Sequence, residues 1–472
     1  MTDQPIGFET ITQLADAFAR RRLGPLDFTT QLLARIEALD PTLTSFVGLT
    51  RERALAEAAA AEAAIARGSA PGPLAGVPYA AKDIFDVAGE ATMAGTRLLA
   101  GNIAEEDCTV VRRLREAGMV LLGKTHTVQF AATIVGINHE LGTPHNPWHQ
   151  TPHVPGGSSS GSAVAVAAGL APMALASDTG GSVRAPAALC GTMGLKTTVG
   201  RVSRAGVFPL CHTYDSMGPL TRSVEDAALV YQAMNGPDSG DDTTRKIERH
   251  DVLGDLKGGV EGLRLIFAEG VCFDKLDPQV EAAVRAGGDV FRDLGAEVEH
   301  RPIPEFDQAH ALPDRFAAMN AEAYAANRRF FEEHAEALDP VVFWMAKGKE
   351  IDESECRAAL ERLADLKVRL LETLSDVDAV LVPTTPIPAR PVDEVDADHG
   401  AFVARYGRIT GFANLFGLCA ASLPCGFTDE GLPIGLMIMA KPFREDMALR
   451  VAWAYEQATD WHRRRPDLRW IA

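Results

Sequence analysis

Apolar and polar positions follow two different patterns along this chain. Residues 8–67 carry apolar side chains at three- to four-residue spacing, which predicts helices throughout this segment. From about residue 74 to 235, short apolar runs alternate with helical patterns, as in TVVRRLREAGMVLLGK, which predicts a helix, a glycine turn and a buried strand. Residues 307–376 return to a helical pattern, and VDAVLVPTTP and GLPIGLMIMAKP supply late strands. This order predicts an α/β fold in which helices cover a sheet.

The composition argues against some classes of binding partner. The 472 residues are 46% apolar, and 64 acidic side chains against 46 basic ones give a formal charge of −18. An acidic surface repels phosphate backbones, so we expect no nucleic-acid partner. The chain contains no apolar run long enough to span a membrane, no signal-peptide pattern at its start, and no CxxC spacing among its cysteines. We therefore expect a cytoplasmic protein with reduced thiols and no membrane partner.

Two short motifs match known patterns but stand in the wrong context. Residues 118–125, GMVLLGKT, match the phosphate-loop pattern, yet the middle residues MVLL predict a buried strand that follows a helix. Residues 157–161 match the GxSxG elbow of hydrolases, yet a proline-rich loop precedes them where a strand is needed. His149 and His153 have the spacing of two metal ligands on a helix, but the prolines around them disfavour that helix. We predict no metal and no cofactor.

Two glycine-serine clusters raise the question of a catalytic base. They are GGSSSGS at 156–162 and SDTGGS at 177–182, with no histidine between them. A serine nucleophile needs a group that removes its proton, and a lysine can do this if burial keeps it neutral. Lys82, within LAGVPYAAKDIFDVAG, has apolar neighbours that predict an interior strand. The alternative is a structural lysine whose tip reaches solvent or pairs with Asp83 or Asp86.

Three segments together resemble a known family. GVPYAAKDIFDVAG, PGGSSSGSAVAVAAG and SDTGGSVRAPAALCGTMGLK resemble, in order and spacing, the motifs of the amidase signature family. The resemblance implies an α/β fold with a central mixed β-sheet covered on both sides by α-helices. We predict an N-terminal helical region at 1–68 that packs on a single amidase domain at 69–472. That domain would contain a signature core at 74–220 and a variable helical region for the substrate pocket at about 307–376.

The same resemblance implies a serine–cis-serine–lysine triad. Ser182 would be the nucleophile, Ser158 the bridging serine after a cis peptide bond, and Lys82 the base. Neutral Lys82 would take a proton from Ser158, which would take one from Ser182 as it attacks a carbonyl carbon.

Further residues carry supporting roles in this hypothesis. Glycines in the second cluster would let four backbone amides form an oxyanion hole. These amides belong to Thr179, Gly180, Gly181 and Ser182. Asp178 and Arg184 are expected to form a structural clamp beside this loop. Ala131 falls where similar proteins line the acyl pocket, and Ser158 is expected to contact substrate there as well.

The resemblance leaves several functions open. The leading hypothesis is an amidase that hydrolyses C–N bonds of small carboxamides, such as aryl amides, oligoamides, ureas or carbamates, through an acyl-enzyme on Ser182. The alternative is the glutaminase subunit of a tRNA-dependent amidotransferase. His126 and Gln129 stand where asparagine and glutamate are common in the family, and these departures leave the substrate class open. A non-catalytic binding module is a third hypothesis. The expected partner is a small-molecule amide, and a homodimer is an open alternative.

Overall fold

A computed structural model describes residues 6–471. Residues 1–5 and 472 lie outside the described residues, so the expectation about the start of the chain falls partly outside them. The described residues contain one mixed sheet of 11 strands with helices on both faces, which confirms the predicted fold class. The strands, in chain order, are β1 (Phe46–Leu49), β2 (Pro78–Lys82), β3 (Val120–Thr125), β4 (Met173–Asp178), β5 (Met193–Lys196), β6 (Ser216–Thr221), β7 (Arg264–Glu269), β8 (Glu297–Pro302), β9 (Ala379–Pro383), β10 (Cys419–Phe427) and β11 (Pro433–Ala440).

The helices fill the connections between these strands. They are α1 (Ile11–Ala19), α2 (Pro25–Leu43), α3 (Arg51–Ala66), α4 (Thr109–Glu116), α5 (Ser160–Ala167), α6 (Arg184–Cys190), α7 (Val224–Met234), α8 (Pro278–Asp293), α9 (Pro304–Ala311), α10 (Ala317–Glu333), α11 (Glu353–Thr373), α12 (Val392–Ala397), α13 (His399–Leu415) and α14 (Glu445–Ala458). Within residues 6–471, no helix combines the length and apolar character that crossing a bilayer requires.

The strand order places the ends of three parallel strands together. The sheet runs β1-β3-β2-β4-β6-β5-β10-β11-β9-β7-β8. β2 lies between β3 and β4 and is parallel to both. Their carboxyl ends therefore meet at one edge of the sheet, where α/β proteins commonly hold functional side chains. Every residue of these three strands is buried.

The N-terminal segment is not helical throughout, contrary to the prediction for residues 8–67. Between α2 and α3, β1 pairs antiparallel with β3 and forms an edge of the sheet. Thr50 donates from its backbone amide to Leu122 O and from its hydroxyl to Leu121 O, which fixes the start of α3 against the same strand. Four residues are too short for a periodic signal, so only pairing with a distant strand makes them a strand. The domain boundary at residue 68 stays a prediction.

The segment that resembles a phosphate loop is a buried strand after a helix, as predicted. Gly118 has a φ of +82° between α4 and β3, a conformation that favours glycine. The residues after it enter β3, whose six residues are all buried.

A fully buried ion pair joins β4, α6 and α13. Arg184 donates through Nε to Asp178 Oδ2 at 3.0 Å and through Nη2 to Oδ1 at 2.8 Å. Its guanidinium also donates to Thr410 O and to Asn414 Oδ1, both at 2.7 Å. Burial opposes ionisation of Asp178, but the charge of Arg184 and hydrogen bonds to the carboxylate hold its pKa at about 2. These contacts form the predicted clamp.

Removing the guanidinium should destabilise the fold strongly. Arg184→Met leaves the Asp178 carboxylate buried without its counter-charge, and we expect a loss of about 3–5 kcal/mol in the free energy of unfolding. Denaturant unfolding monitored by tryptophan fluorescence measures this loss. The matched control is Arg20→Met, which removes an exposed partner of Asp16 and should cost less than about 1 kcal/mol. Equal stability of the two variants would contradict the structural role of the pair.

Candidate active site

Lys82 is the last residue of β2 and has no solvent exposure. Its amine lies 2.7 Å from Ser158 Oγ and 2.8 Å from Ser177 Oγ, within hydrogen-bond distance of both hydroxyls. Asp83, one of the two alternative partners considered from the sequence, pairs instead with Lys124 at 3.0 Å. The structure therefore places Lys82 beside the predicted bridging serine and away from bulk water.

Burial also sets the protonation of this amine. Desolvation lowers the pKa of Lys82 from its usual value to about 7, against the opposing charges of Asp215 and Asp178. A lysine with this pKa is substantially neutral at neutral pH, and only a neutral amine has a lone pair that can accept a proton. The arrangement can therefore support general base chemistry.

Ser158 lies in a turn whose backbone is fixed on both sides. The peptide bond between Gly157 and Ser158 is cis, as the resemblance implies. Gly157 N donates to Ile134 O at 2.6 Å, and Thr127 Oγ1 donates to Ser158 O at 2.8 Å. A Cβ on Gly157 would lie only 2.7 Å from Gly136 N and so could not be accommodated. Glycine is required here because the backbone of residues 133–136 packs directly on the backbone of Gly157.

Ser182 lies in the loop after β4, and this loop is adjacent to the turn that contains Ser158. Ser159 N donates to Ser182 O at 3.3 Å, which joins the two glycine-serine clusters through their backbones. In the described part of the chain, the Ser182 hydroxyl makes no hydrogen bond to Ser158 or to another side chain. Catalytic hydrogen bonds are often long in enzymes without substrate, so the free hydroxyl is compatible with a nucleophile. The three triad roles stay predictions.

The amides predicted for the oxyanion hole are not equivalent. Gly181 N donates to Asp178 Oδ1 at 3.0 Å, so this amide is already satisfied. Within residues 6–471, the amides of Thr179, Gly180 and Ser182 donate to no protein acceptor. The structure thus leaves three of the four predicted donors available and corrects the role of Gly181. That residue has a φ of +134°, and its role is to turn the loop.

Sequence reasoning missed two groups that contact the predicted site. Ser177, near the end of β4, accepts the second hydrogen bond from Lys82. Asp215 is buried and accepts from Thr179 Oγ1 at 2.5 Å and from two backbone amides, while burial raises its pKa. The sequence feature that could have indicated Asp215 is an acidic residue directly before β6, in the segment DSMGPL. No local pattern distinguishes Ser177, because its contact depends on the pairing of β2 with β4.

Two apolar side chains and one hydroxyl lie against the loop that carries Ser182. A Cβ on Gly180 would lie 3.7 Å from Met319 Cε, and one on Gly181 would lie 2.8 Å from Ile134 Cδ1. Thr410 Oγ1 donates to Gly180 O at 2.7 Å. Outside this loop, Phe316 lies against Gly411 of α13. Phe316 and Met319 belong to the segment 307–376, and their part in substrate binding stays a prediction. Ala131 is buried, with a φ of +57°.

The two departures noted in the sequence are both buried. His126 is 1% exposed, and burial lowers its pKa to about 4, so the ring is neutral at neutral pH. Gln129 is fully buried, and its side chain contacts Ala337, Asp339 and Glu140. Neither residue contacts the Lys82 amine in the described part of the chain.

The chain is similar to known proteins in sequence and in fold. A family model described as Amidase matches residues 27–449. A glutamyl-tRNA(Gln) amidotransferase subunit from Gloeobacter violaceus is 39% identical over 97% of this chain and 98% of its own length. A solved structure described as a vestigial protein complex that reveals the origins of an s-triazine catabolic enzyme is 32% identical, with a TM-score of 0.88 over 95% of this chain and 98% of that chain. The native peptide amidase of Stenotrophomonas maltophilia is 29% identical, with a TM-score of 0.85 over 98% and 99% of the two chains.

These matches extend over nearly the whole chain rather than over the signature core alone. They support an enzyme that acts on carbon–nitrogen bonds. By family model, sequence and fold, the chain belongs to the amidase signature family.

Proposed function

We propose that this protein hydrolyses the C–N bond of a carboxamide through an acyl-enzyme on Ser182. The observation that carries the proposal is the fully buried amine of Lys82, 2.7 Å from Ser158 Oγ. Burial lowers the pKa of this amine to about 7, so a neutral base is available without histidine.

Acylation follows from these positions. The Lys82 amine donates to both Ser158 Oγ and Ser177 Oγ in the structure. As a neutral amine it would keep an N–H for Ser177 and have a lone pair for the proton of Ser158. Ser158 in turn takes the proton of Ser182, whose Oγ bonds to the carbonyl carbon of the amide. The amides of Thr179, Gly180 and Ser182 would bind the oxyanion of the tetrahedral intermediate.

The proton then returns by the same path. The C–N bond breaks as Lys82 gives its proton back through Ser158 to the leaving nitrogen, which departs as ammonia or an amine. Water next attacks the acyl ester, and its proton moves to Lys82 through Ser158. The bond between the acyl carbon and Ser182 Oγ then breaks, the proton on Lys82 returns through Ser158 to Ser182 Oγ, and the carboxylic acid is released, so the cycle needs no cofactor.

Two substrate classes fit this chemistry. The curated relative from Gloeobacter violaceus, named as part of a glutamyl-tRNA(Gln) amidotransferase, favours the alternative, a glutaminase that works with partner subunits. One structural observation favours the leading hypothesis of small carboxamides. Of the side chains that lie against Gly180 and Gly181, Met319 and Ile134 are apolar, and the Thr410 hydroxyl is already bonded to Gly180 O. Glutamine carries an ammonium and a carboxylate that need polar partners.

Ser182→Ala should lower kcat/KM for any amide substrate by about 10⁴-fold or more, because the acyl-enzyme can no longer form. The matched control is Ser160→Ala in the neighbouring cluster, where the buried hydroxyl has no hydrogen-bond partner in the described residues. We expect that control to keep near-wild-type activity. A fluorophosphonate should label the wild-type protein and the control but not Ser182→Ala. Labelling of Ser182→Ala would assign the nucleophile elsewhere.

The pH profile should report the base. Lowering the pH protonates Lys82, so kcat/KM should fall about tenfold for each pH unit below its pKa of about 7. Initial rates across a pH series measure this limb, with unfolding followed at each pH to separate inactivation from titration. A profile that stays flat well below that pKa would exclude Lys82 as the base.

The isolated chain should hydrolyse uncharged aryl or aliphatic amides about 100-fold faster than glutamine, since charged groups would be poorly solvated against the apolar side chains of Met319 and Ile134. Release of ammonia or amine from a panel of aryl amides, aliphatic amides, ureas, carbamates and glutamine measures this preference. The same panel is repeated with the remaining subunits of a tRNA-dependent amidotransferase added. Glutamine hydrolysis that exceeds all other substrates in their presence would establish the alternative.

A further inference from the structure

One loop touches both glycine-serine clusters. We call residues 129–138 the wall loop. Its Ile134 accepts the 2.6 Å hydrogen bond from Gly157 N through its carbonyl, and its side chain lies against Gly181. The position of the wall loop therefore affects the space beside Ser158 and Ser182.

A distant segment holds the wall loop in place. We call residues 335–345 the strap, which connects α10 with α11. Gln129 Nε2 donates to Ala337 O at 3.3 Å, and Gln129 Oε1 accepts from Asp339 N at 2.8 Å. Trp344 Nε1 donates to Ala132 O at 3.0 Å. These anchors flank Ala131, the residue expected to line the acyl pocket.

The conformation between the anchors needs external support. Phe130 and Ala131 have φ values of +53° and +57°, in the left-handed region that residues other than glycine rarely adopt. Phe130 stacks on Phe330 of α10 at 5.0 Å and on Phe208 at 6.1 Å between ring centroids. Such backbone persists only where surrounding contacts enforce it.

The chemistry at Gln129 requires an amide. One end of the buried side chain faces a donor, the amide of Asp339, and the other faces two acceptors, Ala337 O and Glu140 Oε2, the latter at 3.4 Å. A carboxylate of the same shape would keep the first hydrogen bond. At the other end it would place a negative charge against a carbonyl and a second carboxylate.

We propose that Gln129 is a positioning residue for substrate specificity, which locks the strap onto the wall loop and thereby fixes the acyl pocket at Ala131 and Ile134. This inference rests on the proposed amide hydrolysis at Ser182. Gln129 acts on the substrate through the wall loop, not by direct contact with the reacting atoms.

Other charged groups pack around this junction. Arg97 donates its backbone amide to Glu140 and lies 3.9 Å from its carboxylate. The ring of His139 bridges Asp339 at 2.8 Å and Asp396 at 3.0 Å, and those carboxylates raise its pKa against the effect of burial. His399 contacts Thr133 of the wall loop at 3.4 Å. The acidic groups among these would raise the pKa of a carboxyl introduced at position 129.

The test is the isosteric variant Gln129→Glu. We expect KM for the best amide substrate to rise about tenfold while kcat changes less than about twofold, because the pocket loosens but the triad does not. Hydrogen exchange of the strap amides should become faster. As the pH is lowered, the ratio of variant to wild-type kcat/KM should recover, since a protonated carboxyl can donate as the amide does.

The matched control is Gln279→Glu on α8, an exposed glutamine whose Oε1 also accepts from a backbone amide. It should leave KM and strap exchange unchanged. Trp344→Phe removes the second anchor independently and should raise KM in the same way, which decides the question if Gln129→Glu fails to fold. Wild-type KM and strap exchange in both variants would overturn the proposal. Strap exchange needs no catalysis, so loss of the Ser182 hypothesis would leave this readout intact.

Discussion

The whole arrangement depends on an amine that is removed from water without a carboxylate beside it. In the described residues, the two hydrogen-bond partners of the Lys82 amine are the hydroxyls of Ser158 and Ser177. An adjacent carboxylate would stabilise the ammonium form and remove the base. The nearby acids Asp178 and Asp215 accept hydrogen bonds from other donors. Burial lowers the pKa of Lys82 more than the charges of these two acids raise it. The sheet provides this environment because β2 is buried between β3 and β4.

The same acids organise the loop that would receive the oxyanion. Asp178 binds the amides of Gly181 and Val183 as well as Arg184, which fixes the turn after β4. Asp215 binds the hydroxyl of Thr179 at the other side of the loop. Two buried carboxylates thus orient the backbone while three amides stay unsatisfied. Each carboxylate combines two effects, since it shapes the loop by hydrogen bonding and tunes Lys82 through its charge.

Local sequence predicted those features that local chemistry determines. An apolar run around a lysine predicted a buried Lys82, and the residues MVLL predicted β3 where a motif alone indicated a phosphate loop. The misses depend on which groups pair. Phe46–Leu49 becomes a strand only by pairing with the distant β3. The amide of Gly181 is occupied by a local partner, the Asp178 carboxylate three residues earlier. Periodicity reports which face of an element is buried, but not which acceptor a given amide meets.

The fold alone does not determine the substrate, because similar proteins are named for different reactions, a glutamyl-tRNA(Gln) amidotransferase and a peptide amidase among them. In this chain the segment 307–376 contributes Met319 beside the loop of Ser182, and it holds the wall loop through Gln129. Apolar side chains solvate an uncharged acyl group better than a charged amino acid, so Met319 and Ile134 are side chains through which this pocket would select its substrate.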